Sequence, residues 1–167
     1  MSAVLISIQP CWCEKIAARW KTMELRKSKP NIPVPFKCYI YQTRHRWVFN
    51  LLRRLGMNGL ADTMGGGFGK VIGEFVCDHI LGHCEMANAD LAEQQSYVRR
   101  KDILEYSGGK QVYGWNISDL KIYDRPKPLS EFRSFNCSVY WEDGYPMPTH
   151  EIKRPPQSWF YVEELTC

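Results

Sequence analysis

The segment Lys21-Thr22-Met23-Glu24-Leu25-Arg26 alternates polar and apolar side chains along its length. Successive side chains of a strand point to opposite faces, so Met23 and Leu25 share one face and Glu24 and Arg26 share the other. The apolar face can join a core. We therefore predict a short strand over 22–26 whose polar face carries a carboxylate and a guanidinium.

Short strands also dominate the pattern on either side of this segment. A helix is predicted over 11–20 because Pro10 suits a first helical turn, and one or two helices are predicted over 88–106. Asp90 and Glu93 resemble a capping box, and Gly108 and Gly109 predict a helix end. Apolar and β-branched residues predict further strands at 3–8, 36–42, 69–80, 113–123 and 158–162.

This order of elements predicts an α+β, mainly β fold, a small mixed β-barrel with peripheral helices. The length of 167 residues fits a single domain over 1–167. Two stretches do not fit the strand pattern, at about 44–68 and 135–152. We interpret both as insertions.

Four segments together resemble the ASCH family of the PUA-like superfamily. The first is 21–26, which is similar to the family signature G-x-K-T-x-E-x-R, with Arg19 or Trp20 in place of its glycine. The others are 69–74, similar to the central strand, 113–120, similar to a late strand, and 154–159 (RPPQSW). The last resembles the ending of a subgroup common in bacteria and their phages.

The resemblance implies a PUA-like fold associated with RNA and a cleft beside the first charged strand. Lys21, Glu24 and Arg26 then suit a nucleobase edge and a phosphate, because arginine donates in a fork and glutamate accepts. As polar-face residues, Lys21 and Arg26 should tolerate replacement by alanine. Glu74 interrupts an apolar strand and needs a partner, for which Lys21 or Arg26 is expected. Trp115 is expected to stack on a base in the cleft.

A second hypothesis is a hydrolase or nuclease acting on RNA or a modified nucleoside at the same cleft. Some ASCH-like amidohydrolases deacylate modified cytidine with a lysine, a threonine and a glutamate, and the resemblance matches these to Lys21, Glu24 and Glu74. Glu24 therefore stands where the threonine nucleophile is found, so enzymatic activity is left open. The three residues remain catalytic candidates, with Glu24 as a general base on water.

The start of the first insertion adds basic and aromatic residues. Arg44, Arg46 and Trp47 lie close together, a combination typical of loops that contact nucleic acid. We predict Arg44 and Arg46 as nucleic-acid-binding residues. The alternative is a solvated loop. A third functional hypothesis, from another class, is a protein-interaction module with an aromatic surface.

Composition limits the classes of function. The net charge of +4 permits an anionic partner without requiring one. No apolar run approaches the ~20 residues that span a bilayer, and no basic leader precedes the first apolar run. We expect a cytoplasmic protein without membrane contact.

The seven cysteines are irregularly spaced, which favours free thiols in such a protein. Cys77, His79, His83 and Cys84 lie within eight residues. Zinc ligand pairs usually come from separate segments, so we favour a buried thiol at Cys77. We expect no metal and no cofactor.

Overall fold

The computed structural model of the protein describes residues 2–44, 54, 56, 68–82, 89–135 and 149–165. Helix α1 spans Pro10–Ala17, α2 spans Ala89–Ser96 and α3 spans Arg100–Ser107. The strands are β1 (Ser2–Ile8), β2 (Met23–Arg26), β3 (Phe36–Gln42), β4 (Lys70–Cys77), β5 (Ile80–Leu81), β6 (Tyr113–Asn116), β7 (Ser118–Lys127), β8 (Arg133–Phe135), β9 (Thr149–Glu151) and β10 (Trp159–Glu163).

Seven strands form one mixed sheet in the order β7-β4-β3-β1-β10-β8-β9. Strand β1 lies at its centre, parallel to β3 and antiparallel to β10. Its side chains from Ala3 to Ile8 are buried, since both faces of this strand are covered. Such a strand reads as a continuous apolar run, which explains the sequence VLISI.

Strands β2, β6 and β5 form a separate antiparallel sheet in that order. Met23 and Leu25 of β2 pack with Val112, and Val98 and Ile103 cover them from the side of α2 and α3. This is the apolar face that the alternation in 22–26 predicts. The opposite face of β2 carries Glu24 and Arg26.

The larger sheet has apolar clusters on both faces. Val4, Ile6 and Ile40 pack with Ile16 of α1 and Trp115 of β6 in one cluster, between the two sheets. The second cluster, on the other face, contains Leu5, Tyr39, Val71, Phe132 and Ile152. A side chain on this sheet therefore faces one cluster or the other. Only a side chain on the face of the first cluster, which contains Trp115, can reach β2.

The fold class is confirmed as α+β and mainly β. In the part of the chain that is described, the seven-stranded sheet is open, with β7 and β9 as its edge strands, so the hydrogen bonds do not close a barrel. Strand β3 matches its predicted range of 36–42. The predicted insertions lie largely outside the described residues, so the single domain with two insertions stays a prediction.

Two local predictions differ from the structure. Helix α1 ends at Ala17 rather than at Trp20, because Arg19 has a φ of 61° and turns the chain. Asp90 and Glu93 do not form a capping box, since both lie within α2. The Glu93 carboxylate instead accepts a hydrogen bond from the backbone N–H of Arg100, 3.0 Å away, at the start of α3.

Described cysteines are free thiols, with Cys13, Cys38 and Cys77 buried and Cys11 exposed. Burial raises the pKa of the Cys77 thiol to about 12. His83 and Cys84 lie outside the described residues. Among the helices that are described, none is both long and apolar enough to cross a membrane.

Candidate functional site

Strand β2 places Glu24 and Arg26 on its polar face, and Lys21 lies just before the strand. Pairing of β2 with β6 puts Glu24 opposite Trp115 and Arg26 opposite Tyr113. The charged residues are nevertheless buried, with 2% of Lys21, 6% of Glu24 and 8% of Arg26 exposed. This corrects the expectation that Lys21 and Arg26 are solvated polar-face residues that alanine can replace without cost.

The ammonium of Lys21 is held by three oxygens and an aromatic ring. Its Nζ donates to the carbonyl oxygens of Met23 and Ser96, each 2.8 Å away. The Oε2 atom of Glu24 lies 3.3 Å from the same Nζ, and the ring of Trp12 has its centroid 5.2 Å away. Burial lowers the pKa of Lys21, and the Glu24 carboxylate opposes part of that shift. Lys21 therefore ties β2 to the end of α2.

The guanidinium of Arg26 connects β2 to the larger sheet. Its Nη2 donates to the carbonyl oxygen of Ser7 at 2.6 Å and lies 3.0 Å from Oε1 of Glu24. Its Nη1 donates to the hydroxyl of Ser158 at 3.3 Å. Ser158 precedes β10, and its carbonyl oxygen accepts from the N–H of Ser7. Arg26 thus joins β2, β1 and the segment before β10.

Two polar atoms of this group have no hydrogen-bond partner among the described residues: Oε2 of Glu24 and Nε of Arg26. The Oε2 atom is close to Lys21, but the contact is an ion pair without hydrogen-bond alignment. A buried polar atom without a partner costs about 1–3 kcal/mol. Nε of Arg26 is therefore the donor of this group that has no partner among the described residues, whereas Oε2 of Glu24 is compensated by the Lys21 ammonium.

The charged trio, Lys21, Glu24 and Arg26, borders a pocket of about 610 Å³. Trp12 and Tyr106 supply aromatic walls, from α1 and α3. The remaining lining includes both polar and apolar residues: Ser7, Ile8, Gln9, Leu25, Thr43, Val98, Asp102, Ile103, Pro156 and Gln157. The volume is within the ~300–1,000 Å³ that is usual for small-molecule sites.

The segment 154–159, which carried part of the family resemblance, lies at the rim of this pocket. Pro156 and Gln157 line the pocket, and the hydroxyl of Ser158 accepts a hydrogen bond from Arg26. The Ser7 hydroxyl donates to the carbonyl oxygen of Pro156 at 2.7 Å, which fixes the segment against β1. The segments 21–26 and 154–159, which are far apart in sequence, therefore meet at one pocket.

Sequence reasoning missed Trp12 and Tyr106 as walls of the pocket. Trp12 lies within the predicted first helix, and its spacing does not reveal which side faces Lys21. Tyr106 lies in the last turn of α3, whose packing against β2 depends on contacts distant in sequence. Neither position carries a signal that distinguishes it from the other aromatic residues.

Glu74 is not part of this pocket, and the predicted ion pair with Lys21 or Arg26 is wrong. It pairs in register with Tyr39, whose side chain belongs to the cluster on the far face of the larger sheet. Its carboxylate accepts a short hydrogen bond from the Tyr123 hydroxyl and lies 3.8 Å from Nζ of Lys37. The larger sheet therefore separates Glu74 from the other two catalytic candidates.

Trp115 pairs with Glu24 across the β2–β6 ladder but is buried in the core. None of its surface is exposed, and its ring contacts Phe36 and Trp159 at centroid distances of 5.8 and 5.7 Å. A base has no access to a ring enclosed in this way. The expectation that Trp115 stacks on a base is corrected: it is a residue of the core.

The predicted arginines of the first insertion are only partly described. Arg44 does not line the pocket of the trio but borders a neighbouring one. Arg46 and Trp47 lie outside the described residues. Their role in nucleic-acid binding stays a prediction.

Comparison with known proteins supports the fold. No family model matches the sequence, and no curated protein matches it. The crystal structure of ASCH from Zymomonas mobilis is similar, with a TM-score of 0.61 and 17% identity over 97% of this chain and 88% of that chain. A mutant of that protein gives the same TM-score at 16% identity, over 97% of this chain and 91% of its own. The chain therefore has an ASCH-like fold, and the bacterial and phage subgroup stays a prediction.

Proposed function

We propose that the chain binds RNA or a nucleotide by admitting a nucleobase to the pocket of the charged trio. The carboxylate of Glu24 and the guanidinium of Arg26, side by side at this pocket, carry this proposal, because a base edge presents both donors and acceptors. The Nε atom of Arg26 is not in contact with water, so a small rotation of its side chain accompanies binding. The base then accepts a hydrogen bond from Nε of Arg26, which has no partner among the described residues.

The aromatic walls support a base rather than another polar ligand. A base inserted between them would contact Trp12 or the exposed ring of Tyr106, and such stacking contributes about 1–3 kcal/mol per base. The described lining carries two cations, Lys21 and Arg26, and two carboxylates, Glu24 and Asp102. Because the two positive and two negative charges of the lining cancel, the pocket suits an uncharged base. A phosphate attached to that base would lie outside the pocket.

The hydrolase alternative receives less support from the geometry. Lys21 uses its ammonium on two carbonyl oxygens and Glu24, and Glu74 is on the far face of the sheet. A general base or oxyanion donor must reach the reacting atoms directly. We therefore propose binding as the activity of this pocket. A protein-interaction role has no specific observation in its favour.

Tyr106→Ala tests the proposal at the rim of the pocket. We expect it to weaken binding of single-stranded RNA or mononucleotides by about 5- to 150-fold, the equivalent of the stacking energy. Leu104→Ala is the matched control, because Leu104 is also exposed on α3 but does not line the pocket. Binding is measured by fluorescence anisotropy and calorimetry.

Equal binding by Tyr106→Ala and the unmodified protein would contradict the proposal. The same samples are incubated with acetylated cytidine and with RNA, and products are separated by chromatography. Robust turnover, abolished by Glu24→Gln, would make the enzyme hypothesis the leading one.

A further inference from the structure

A second pocket, of about 620 Å³, adjoins the pocket of the trio. The two share Ser7, Thr43 and Pro156 in their linings, so these three residues form the ridge between them. The two pockets are therefore adjacent. We call the second one the basic pocket.

The basic pocket is lined by three cations, Arg44, Lys70 and Lys153, and by no acidic residue among the described ones. None of the three cations has an ion-pair partner in the described part of the chain. This differs from the first pocket, where cations and carboxylates are balanced. Three unneutralised cations in a concave site attract an anion.

The backbone at Gly69 makes room for one of these cations. Gly69 has a φ of 73°, which L side chains rarely adopt, and a Cβ there would collide with Nε of Arg44. Its N–H donates to the carbonyl oxygen of Gln42 at 2.8 Å, which fixes the start of β4 beside the end of β3. The Arg44 guanidinium can therefore lie against the backbone next to Lys70.

We infer that the basic pocket is a backbone-phosphate subsite, so that the ligand is a single-stranded oligonucleotide whose base occupies the neighbouring pocket. This inference rests on the proposed function of that neighbouring pocket. Each pocket has a volume within the range of small-ligand sites, which leaves room for a base in one and a phosphate group in the other. Arginine and lysine are the usual contacts to phosphate.

The test compares the unmodified protein with the triple variant Arg44→Ala/Lys70→Ala/Lys153→Ala. The ligands are nucleosides, ribonucleoside monophosphates, short homopolymeric single-stranded RNAs and the matching DNAs. The control is Lys29→Ala/Lys110→Ala/Lys121→Ala, which removes the same charge from exposed positions outside both pockets. Dissociation constants are measured across a range of salt.

We expect the triple variant to bind oligonucleotides more weakly and to have a log–log salt slope smaller by about 2, since each phosphate contact on a single strand contributes about 0.7. Raising salt from about 50 to about 200 mM should then weaken the unmodified protein about 20-fold more than the variant. Lys70→Ala and Lys153→Ala alone should each lower the slope by about 0.7. Nucleoside binding should be unchanged in every variant.

The outcomes separate this inference from the proposed function. Normal nucleoside binding with an unchanged oligonucleotide salt slope in the triple variant would overturn the inference and leave the proposed function standing. An equal loss in the control variant, or an equal loss for monophosphates, would also overturn it. If the unmodified protein binds no nucleoside, nucleotide or oligonucleotide, both fail. If the triple variant loses affinity equally for RNA and for DNA, the phosphate subsite is supported and accepts both kinds of single strand.

Discussion

At the scale of single residues, Lys21 shows that a charged side chain can be structural and line a pocket at once. Its ammonium is buried beside Glu24 and two carbonyl oxygens. Removing one member of a buried ion pair is costly because the other charge stays buried. Lys21 therefore stabilises the fold independently of any ligand.

Lys21→Met should lower the free energy of unfolding by about 3 kcal/mol. The double variant Lys21→Met/Glu24→Gln should have a free energy of unfolding about 1 kcal/mol or more above that of Lys21→Met, because the two groups are directly coupled. Lys110→Met, at an exposed position, should stay within about 0.5 kcal/mol of the unmodified protein. Urea unfolding followed by fluorescence measures all of them. Additive effects of the two substitutions would show that the pair does not interact.

At the scale of elements, the end of α1 sets the entry to β2. The N–H groups of Trp20 and Lys21 both donate to the carbonyl oxygen of Lys15, while Arg19 occupies the left-handed region. This is the turn where the family signature has glycine. The turn is therefore kept without its glycine, at a conformational cost of about 1–2 kcal/mol for a residue with a side chain.

Arg19→Gly should raise the free energy of unfolding by about 0.5–1 kcal/mol. The relief of the left-handed conformation exceeds the entropy that glycine adds to the unfolded chain. Both variants remove the exposed hydrogen bond of the Arg19 side chain to the carbonyl oxygen of Leu120, but Arg19→Ala also keeps the backbone strain, so it should not stabilise the fold. Chemical denaturation distinguishes them. A stabilising alanine variant would mean that the arginine side chain, rather than the turn, is unfavourable.

Sequence patterns predicted elements better than the contacts between them. Strand β3 was predicted at its observed bounds because proline and the insertion enclose a continuous β-forming run. The alternation in 22–26 correctly separated Met23 and Leu25 from Glu24 and Arg26. It did not reveal that α1 and the segment before β10 lie against the charged residues. Burial of the trio depends on those distant segments, so local alternation could not predict it.

The error at Glu74 has a similar cause. A carboxylate within an apolar strand needs a partner, and the sequence suggested the nearest cations of the charged segment. Alternation along β4 does not indicate which face of the sheet meets β2. A shift of register between Ile40 and Tyr41 in the pairing with β4 further interrupts simple counting along the strand. The partners of Glu74 come from β3 and β7 instead.

At the scale of the whole molecule, the pocket of the trio draws its walls from both sheets. Leu25 and Glu24 belong to the smaller sheet, whereas Ser7 and Ile8 belong to the larger one. Tyr106 adds α3. A ligand in this position should therefore stabilise the two sheets together.

Ligand at about 100 times its dissociation constant should raise the free energy of unfolding by about 2.7 kcal/mol. Hydrogen exchange should slow at amides in β1 and in β2 alike, since both strands contribute to the pocket. In Tyr106→Ala, the same ligand concentration should raise the free energy of unfolding by a smaller amount. Protection confined to one sheet would contradict a site shared between them.

The position of β10 next to the central strand β1 has a consequence for synthesis on the ribosome. Strand β1 leaves the exit tunnel early, but its β10-facing edge stays unpaired until Trp159–Glu163 have emerged. The Ser7 hydroxyl likewise cannot form its hydrogen bond until Pro156, 149 positions later, has been synthesised. Unpaired strand edges favour aggregation in nascent chains, so β1 is the segment that a holding chaperone should protect. The lining of the pocket at Pro156 and Gln157 stays incomplete until these residues have been translated.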